Sequence, residues 1–310
     1  MSAHSPAPSA STSGSESATV DPRDRARFFS ADNNFDFAWP EIPAHQFVIE
    51  RDRALASDTP TGFIDLDISD RLGTTWPATT PTLLMRYLRL RDAEPFDCAL
   101  AATGVVYYVL SGRGRSSACG VTIEWAEGDL FCFPGGELSH HVADGDALLY
   151  LGSNEPLLAF SQARPPAPGE SQLAPVHWTR EAIEAQLEEV YKRPITEQTT
   201  GHAVLFTSPA MAPTTNALPT INIGLNTLEA GRDQRPHRHN GVAVVLCLQG
   251  QGVHSMVDGE RIEWQDQAVQ ITPPTSLHSH HNRGNERMRC LIFQDEALHY
   301  YTRTPGFSFD

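Results

Sequence analysis

Apolar residues in this chain come in short runs broken by Gly, Pro and Asp-Gly. Val105–Leu110 is one such run and ends at Ser111-Gly112-Arg113-Gly114. Val242–Leu248 is another and ends at Gln249-Gly250-Gln251-Gly252. Runs of this length, rich in β-branched residues and bounded by glycine, predict strands. Asp258-Gly259 between Val253–Val257 and Arg261–Trp264 predicts a hairpin closed by a type I′ turn. One stretch has the other period. Thr179 is placed to cap a helix with Glu181 in its first turn, and Ile183, Leu187, Val190 and Tyr191 fall on one face before Pro194.

The pattern occurs twice. Leu110 to Gly114 matches Leu248 to Gly252 at an offset of 138. Ile123-Glu124-Trp125 matches Ile262-Glu263-Trp264, and Pro134 matches Pro273, both at an offset of 139. Two copies of one β-domain account for this. The expected organisation is a disordered tail over 1–25, a first β-domain over 26–162, a linker with a helix over 163–195 and a second β-domain over 196–310. Ala163–Ser171, rich in Pro and Ala, reads as extended linker.

Composition narrows the function classes. A net charge of −15 argues against nucleic acid and anionic membrane surfaces as partners. No run of about 18 apolar residues predicts a membrane span. Residues 1–20 are mostly small and polar, without the basic and apolar regions of a secretory signal. Five scattered cysteines with no Cys-x-x-Cys pair read as buried free thiols, and the expected compartment is the cytoplasm.

The chemistry concentrates in the second copy, where six of the thirteen histidines lie between positions 237 and 281. In Pro236-His237-Arg238-His239 the two imidazoles share one side of a strand, because strand side chains alternate. His278, from a neighbouring antiparallel strand, completes a face of three nitrogens. Three protein ligands leave coordination positions open, the mark of a catalytic metal rather than a structural one.

These residues resemble the cupin family. Its first motif reads here as Gly231, His237, His239, Ala243 in place of glutamate, and Gly250; its second reads as Pro273, Thr275 in place of glycine, His278 and Asn282. The resemblance is close over 215–300 and in outline over 85–160. It implies an all-β bicupin, two double-stranded β-helix (jelly-roll) barrels joined by a short helical linker. Aligning the copies puts Ala99 and Ala101 opposite His237 and His239, and Ser139 opposite His278, so the first barrel is expected to have lost its site.

Ala243 cannot ligate a metal, so the site is expected to be neutral, with three histidines. That favours substrates that bind as anions. The whole pattern is similar to the gentisate, salicylate and 1-hydroxy-2-naphthoate dioxygenases, three-histidine Fe(II) enzymes that cleave aromatic rings. The resemblance implies Fe(II), with Mn, Ni and Zn left open, and a small hydroxylated aromatic acid and O2 as substrates. It differs in one respect: that family carries its metal in the N-terminal barrel. A non-redox bicupin hydrolase or isomerase, and a non-catalytic ligand-binding bicupin, are the alternatives. A homo-oligomer is expected.

Around the metal, His280 shares the phase of His278 and is the candidate acid/base group, taking a proton from a substrate hydroxyl. Cys247 and Gln249 share the phase of Ala243 and are expected to line the cavity beyond the metal, with Gln249 a candidate to bind substrate. Arg235 and Arg289 are candidate carboxylate anchors, with Arg232 behind them. Asn282 is a candidate for orienting the ligand. Arg238 should point outward, and the facing of His254 is open.

Overall fold

The two apolar runs form the strands Gly104–Ser111 and Ala243–Gln249, and both are buried along most of their length. They run apolar without alternating because each lies in a sheet covered on both faces. One face lines its own barrel: Val105, Tyr107 and Val109 in the first, Ala243, Val245 and Cys247 in the second. The other face belongs to a core shared by both barrels, with Val106, Tyr150 and Met85 from the first and Val244, Leu246 and Phe293 from the second.

The structure, a computed structural model, describes residues 21–33, 38–196 and 199–310. Residues 1–20 of the expected tail lie outside the described residues. Pro22–Arg25, also assigned to that tail, forms a 3-10 turn whose first N–H groups are capped by Asp21. None of the described helices is long and apolar enough to cross a membrane.

Each barrel is built from two antiparallel sheets. In the second barrel the six-stranded sheet runs His45–Phe47, Val269–Thr272, Ala243–Gln249, Met288–Gln294, Asn222–Leu228, His202–Phe206. The five-stranded sheet runs Glu260–Glu263, Val253–Val257, His278–Asn282, His237–Arg238, Ser308–Phe309. The first barrel has sheets of six and four strands. Asp258 and Gly259 both take positive φ, 47° and 88°, as a type I′ turn requires.

The barrels exchange strands. His45–Phe47, from the first half of the chain, pairs with Val269–Ile271 of the second barrel. Val176–Trp178, from the linker, pairs with Leu130–Cys132 of the first. Each exchanged strand leads into a helix, Val48–Leu55 and Arg180–Tyr191. The second helix begins at Thr179, whose hydroxyl accepts from the Ala182 N–H, and buries Ile183 and Leu187. Residues 40–310 therefore make one compact unit, and boundaries at 162/163 and 195/196 cut through shared sheets.

Candidate metal centre

His237 and His278 are direct partners across two antiparallel strands, and His239 follows at the mouth of the next turn. All three are buried, and one ring nitrogen from each lies within 4.8 Å of the others. The remaining nitrogens are fixed by the chain's own backbone. Nδ1 of His237 faces Arg235 O at 3.0 Å, Nδ1 of His239 faces Gly241 O at 2.7 Å, and Nδ1 of His278 faces Ser276 O at 2.9 Å. A carbonyl only accepts, so each Nδ1 carries the proton and each Nε2 offers a lone pair.

Burial holds these imidazoles neutral. It lowers His237 to about 4, and lowers His278 to about 2 with the help of the neighbouring His237 and His239 rings. His239 is also lowered by burial. No proton has to leave these nitrogens at neutral pH before a cation binds. A buried carboxylate steadies the third histidine: Glu296 accepts the Gly241 N–H at 2.6 Å, and the Gly241 carbonyl holds His239. The donor set fits a divalent transition metal with open positions.

The centre opens into a cavity of about 550 Å³. Val245, Ile292 and Ala243 make its apolar floor, with Gln234, Thr272 and Gln294 as polar neighbours. Arg193, Tyr300 and Phe307 also line it. Arg193 is the one arginine or lysine among the described lining residues.

His280 is buried and lines the same cavity. Its Nδ1 lies 2.9 Å from the Ser255 hydroxyl, which receives N–H donors from Trp264 at 2.7 Å and Gln270 at 2.8 Å. Both lone pairs of that oxygen are taken, so its proton goes to His280 Nδ1 and the ring proton sits on Nε2. His280 is thus a hydrogen-bond donor at rest, the reverse of the base expected from sequence. Burial lowers it to about 3.

The other sequence candidates stand elsewhere. Arg289 pairs with Glu184 of the linker helix at 2.7 Å, and Gln249 bonds Glu286. Both border a separate groove between the barrels. A register shift between Cys247 and Gln249 breaks the alternation that placed Gln249 in the cavity. Arg235 donates to Asp310 O and lies over the Phe309 ring. Asn282 donates to Leu228 O and Glu286 O and accepts from Gly284, which fixes the turn after its strand. Arg238 points outward to Thr275 O, as expected. His254 stacks on His281, opposite the phase of Ser255 and His280, and so faces away from the metal centre. No sequence pattern singles out Arg193, Gln234, Gln294 or Phe307, which the fold brings to the cavity.

In the first barrel, strand register corrects the sequence alignment. Cys98 pairs with Ser139 as His237 pairs with His278, and Leu100 O accepts from Gly136 as His239 O accepts from Thr275. Cys98 and Leu100, not Ala99 and Ala101, stand where the first two ligands would be. The copies differ by one residue in the loop that follows, and the offset read from the next strand does not hold across it. His141 sits in phase with His280, its Nδ1 beside the Ser116 hydroxyl, which in turn receives the Trp125 N–H. That network is therefore barrel framework that persists without metal ligands. Tyr107, Phe131 and Phe133 pack against one another where the second barrel has Val245, Gln270 and Thr272, so the first lumen is filled.

Residues 224–293 match the family model described as "Cupin domain". A solved salicylate 1,2-dioxygenase from Pseudaminobacter salicylatoxidans superposes with a TM-score of 0.72, covering 89% of this chain and 91% of that one at 16% identity. The fold is a bicupin. Among curated relatives of this bicupin, a 5-aminosalicylate 1,2-dioxygenase from Comamonas sp is 33% identical over 100 residues, covering 31% of this chain and 27% of that protein. A gentisate 1,2-dioxygenase from Ralstonia sp is 26% identical over 138 residues, covering 44% and 39%. The matched segments span well under half the length of these relatives.

Proposed function

We propose that the second barrel is the catalytic one and that the protein is an Fe(II)-dependent dioxygenase opening the ring of a hydroxylated aromatic acid of the gentisate or salicylate type. The observation that carries the reading is the neutral three-histidine face, with Ala243 at the fourth position, set in a cavity whose one arginine or lysine among the described residues is Arg193. The named relatives support the reaction class. Bound Fe(II) supplies the redox centre and the open positions at which a chelating acid and O2 are brought together.

The chain's own residues do the rest. His237, His239 and His278 add no negative charge, so the face attracts an anionic chelate. Val245 and Ile292 exclude water beside the aromatic ring. Arg193 makes no salt bridge among the described residues, and its guanidinium is available to a substrate carboxylate. His280 donates from Nε2 to the oxygen that becomes anionic.

Arg193→Ala is expected to raise KM for the carboxylated substrate by roughly 10- to 100-fold, the loss of a charge-assisted hydrogen bond. Arg289→Ala, bordering the other groove, should leave KM near the parent value. Equal effects of the two would contradict the assignment. The reaction itself is tested by ring absorbance after Fe(II)-loaded protein is mixed with these acids in air. Unchanged spectra with all of them would reject ring opening.

A further inference from the structure

We propose that Gln294 supplies a fourth, neutral ligand to the metal through its side-chain oxygen, from the strand beside the one that lacks the motif glutamate. The inference rests on the three-histidine site and is independent of the reaction assigned to it.

Ala243 pairs with Thr272 on one side and Gln294 on the other. Space left by the missing carboxylate is thus bordered by two longer polar side chains, both lining the cavity. The Gln294 amide nitrogen lies 3.3 Å from Nε2 of His239, the nitrogen that faces the other two ligands. With the His239 proton on Nδ1, that Nε2 is a lone pair, and the Gln294 N–H donates to it.

A cation bound to Nε2 takes this lone pair. The amide N–H would then point at a positive charge with no acceptor. Half a turn about the soft terminal torsion exchanges the amide oxygen for the nitrogen and turns the attraction favourable. The orientation of such an amide is set by its hydrogen bonds, so metal binding selects it.

The neighbouring residue accommodates the exchange. Asn222 pairs with Gln294 on the far side and donates to its oxygen at 3.1 Å. The Asn222 Oδ1 is buried and has no partner. When both amides turn, Asn222 Oδ1 accepts the N–H that Gln294 no longer gives to His239. The buried Thr272 hydroxyl, also without a protein partner, borders the same space. In the first barrel, Ser153 occupies the position of Gln294, opposite Val105, and no ligand trio remains there.

A carboxamide ligand differs from a carboxylate in one decisive way. It leaves the full charge of the divalent ion uncompensated and binds it weakly, so an anionic chelate displaces it. The position held by Gln294 at rest is then freed when substrate binds.

The test uses Co(II), whose visible absorption reports its coordination, bound to the full chain without oxygen or substrate. Gln294→Ala should weaken Co(II) by roughly 10- to 100-fold and alter the visible bands. Gln294→Glu should tighten Co(II) at least about 10-fold, since it restores a charged ligand. An Ala variant with the parent dissociation constant and spectrum overturns the proposal, and so does a Glu variant that binds no tighter than the parent. Both readouts are independent of whether the protein opens aromatic rings.

Discussion

Replacing His237 and His278 together by Ala is expected to lower the affinity for Fe(II) on the order of 10⁴-fold and to remove all turnover. Structural zinc sites with four ligands hold their metal with about 10–16 kcal/mol, or roughly 3 kcal/mol per ligand. Losing two of three ligands here removes about 6 kcal/mol, and each 1.4 kcal/mol is tenfold in affinity. The fold should survive the change. Both side chains border a cavity that is already open, and both are neutral at pH 7, so no charge is left unpaired. Anaerobic Fe(II) titration with circular dichroism separates the outcomes. Full iron binding by the folded double variant would remove the site from this location.

Expression of 196–310 alone, with all three histidines, is expected to give no cooperatively folded, metal-binding domain. The fragment lacks His45–Phe47, so Val269–Ile271 becomes an unpaired edge. It also uncovers Val244, Leu246, Val269, Ile271, Leu291 and Phe293, which are fully buried in the whole chain. At about 1.5–3 kcal/mol for each of the six side chains, the loss is roughly 9–18 kcal/mol, at least as large as the stability of a typical domain. Backbone pairing adds to it, as does the bond from the Tyr87 hydroxyl to Gln267 O. That bond ties the first barrel to the turn before Val269. A monomeric fragment with a sharp unfolding transition and parent metal affinity would show instead that the second barrel stands alone. Adding residues 40–195 in trans is not expected to restore binding quickly, because His45–Phe47 must pair with Val269–Ile271 while the shared core closes between the two pieces.

What the sequence disclosed was local. The Asp258-Gly259 turn, the helix begun by Thr179 and the apolar strands are each dictated by a few neighbouring residues. The clustering of His237, His239 and His278 needed only strand alternation and a family motif. Long-range pairing was not legible. Nothing near His45 announces a partner more than two hundred residues away, and nothing near Gln294 announces that it borders Ala243. Alternation also failed across an irregularity: the register shift after Cys247 moved Gln249 out of the cavity. Arginines were the hardest to place, since a guanidinium reads alike in a substrate clamp and in an ion pair. Arg289 meets Glu184, whereas Arg193, beyond the end of the linker helix, reaches the cavity.

Comparison of the two barrels separates framework from chemistry. Ser116, Trp125 and His141 repeat the Ser255, Trp264 and His280 network where no ligands survive, so that network alone does not mark an active site. The lumen does distinguish the barrels. Aromatic rings fill the first, and Val245, Gln270 and Thr272 leave the second open to a ligand.

The most direct measurement is oxygen consumption by the protein loaded anaerobically with Fe(II) and then given gentisate, salicylate or 1-hydroxy-2-naphthoate in air. Uptake of one O2 per molecule of at least one acid, lost in the His237→Ala/His278→Ala variant, is the predicted result. Bound iron at one per chain with no oxygen uptake for any of the three acids would contradict it.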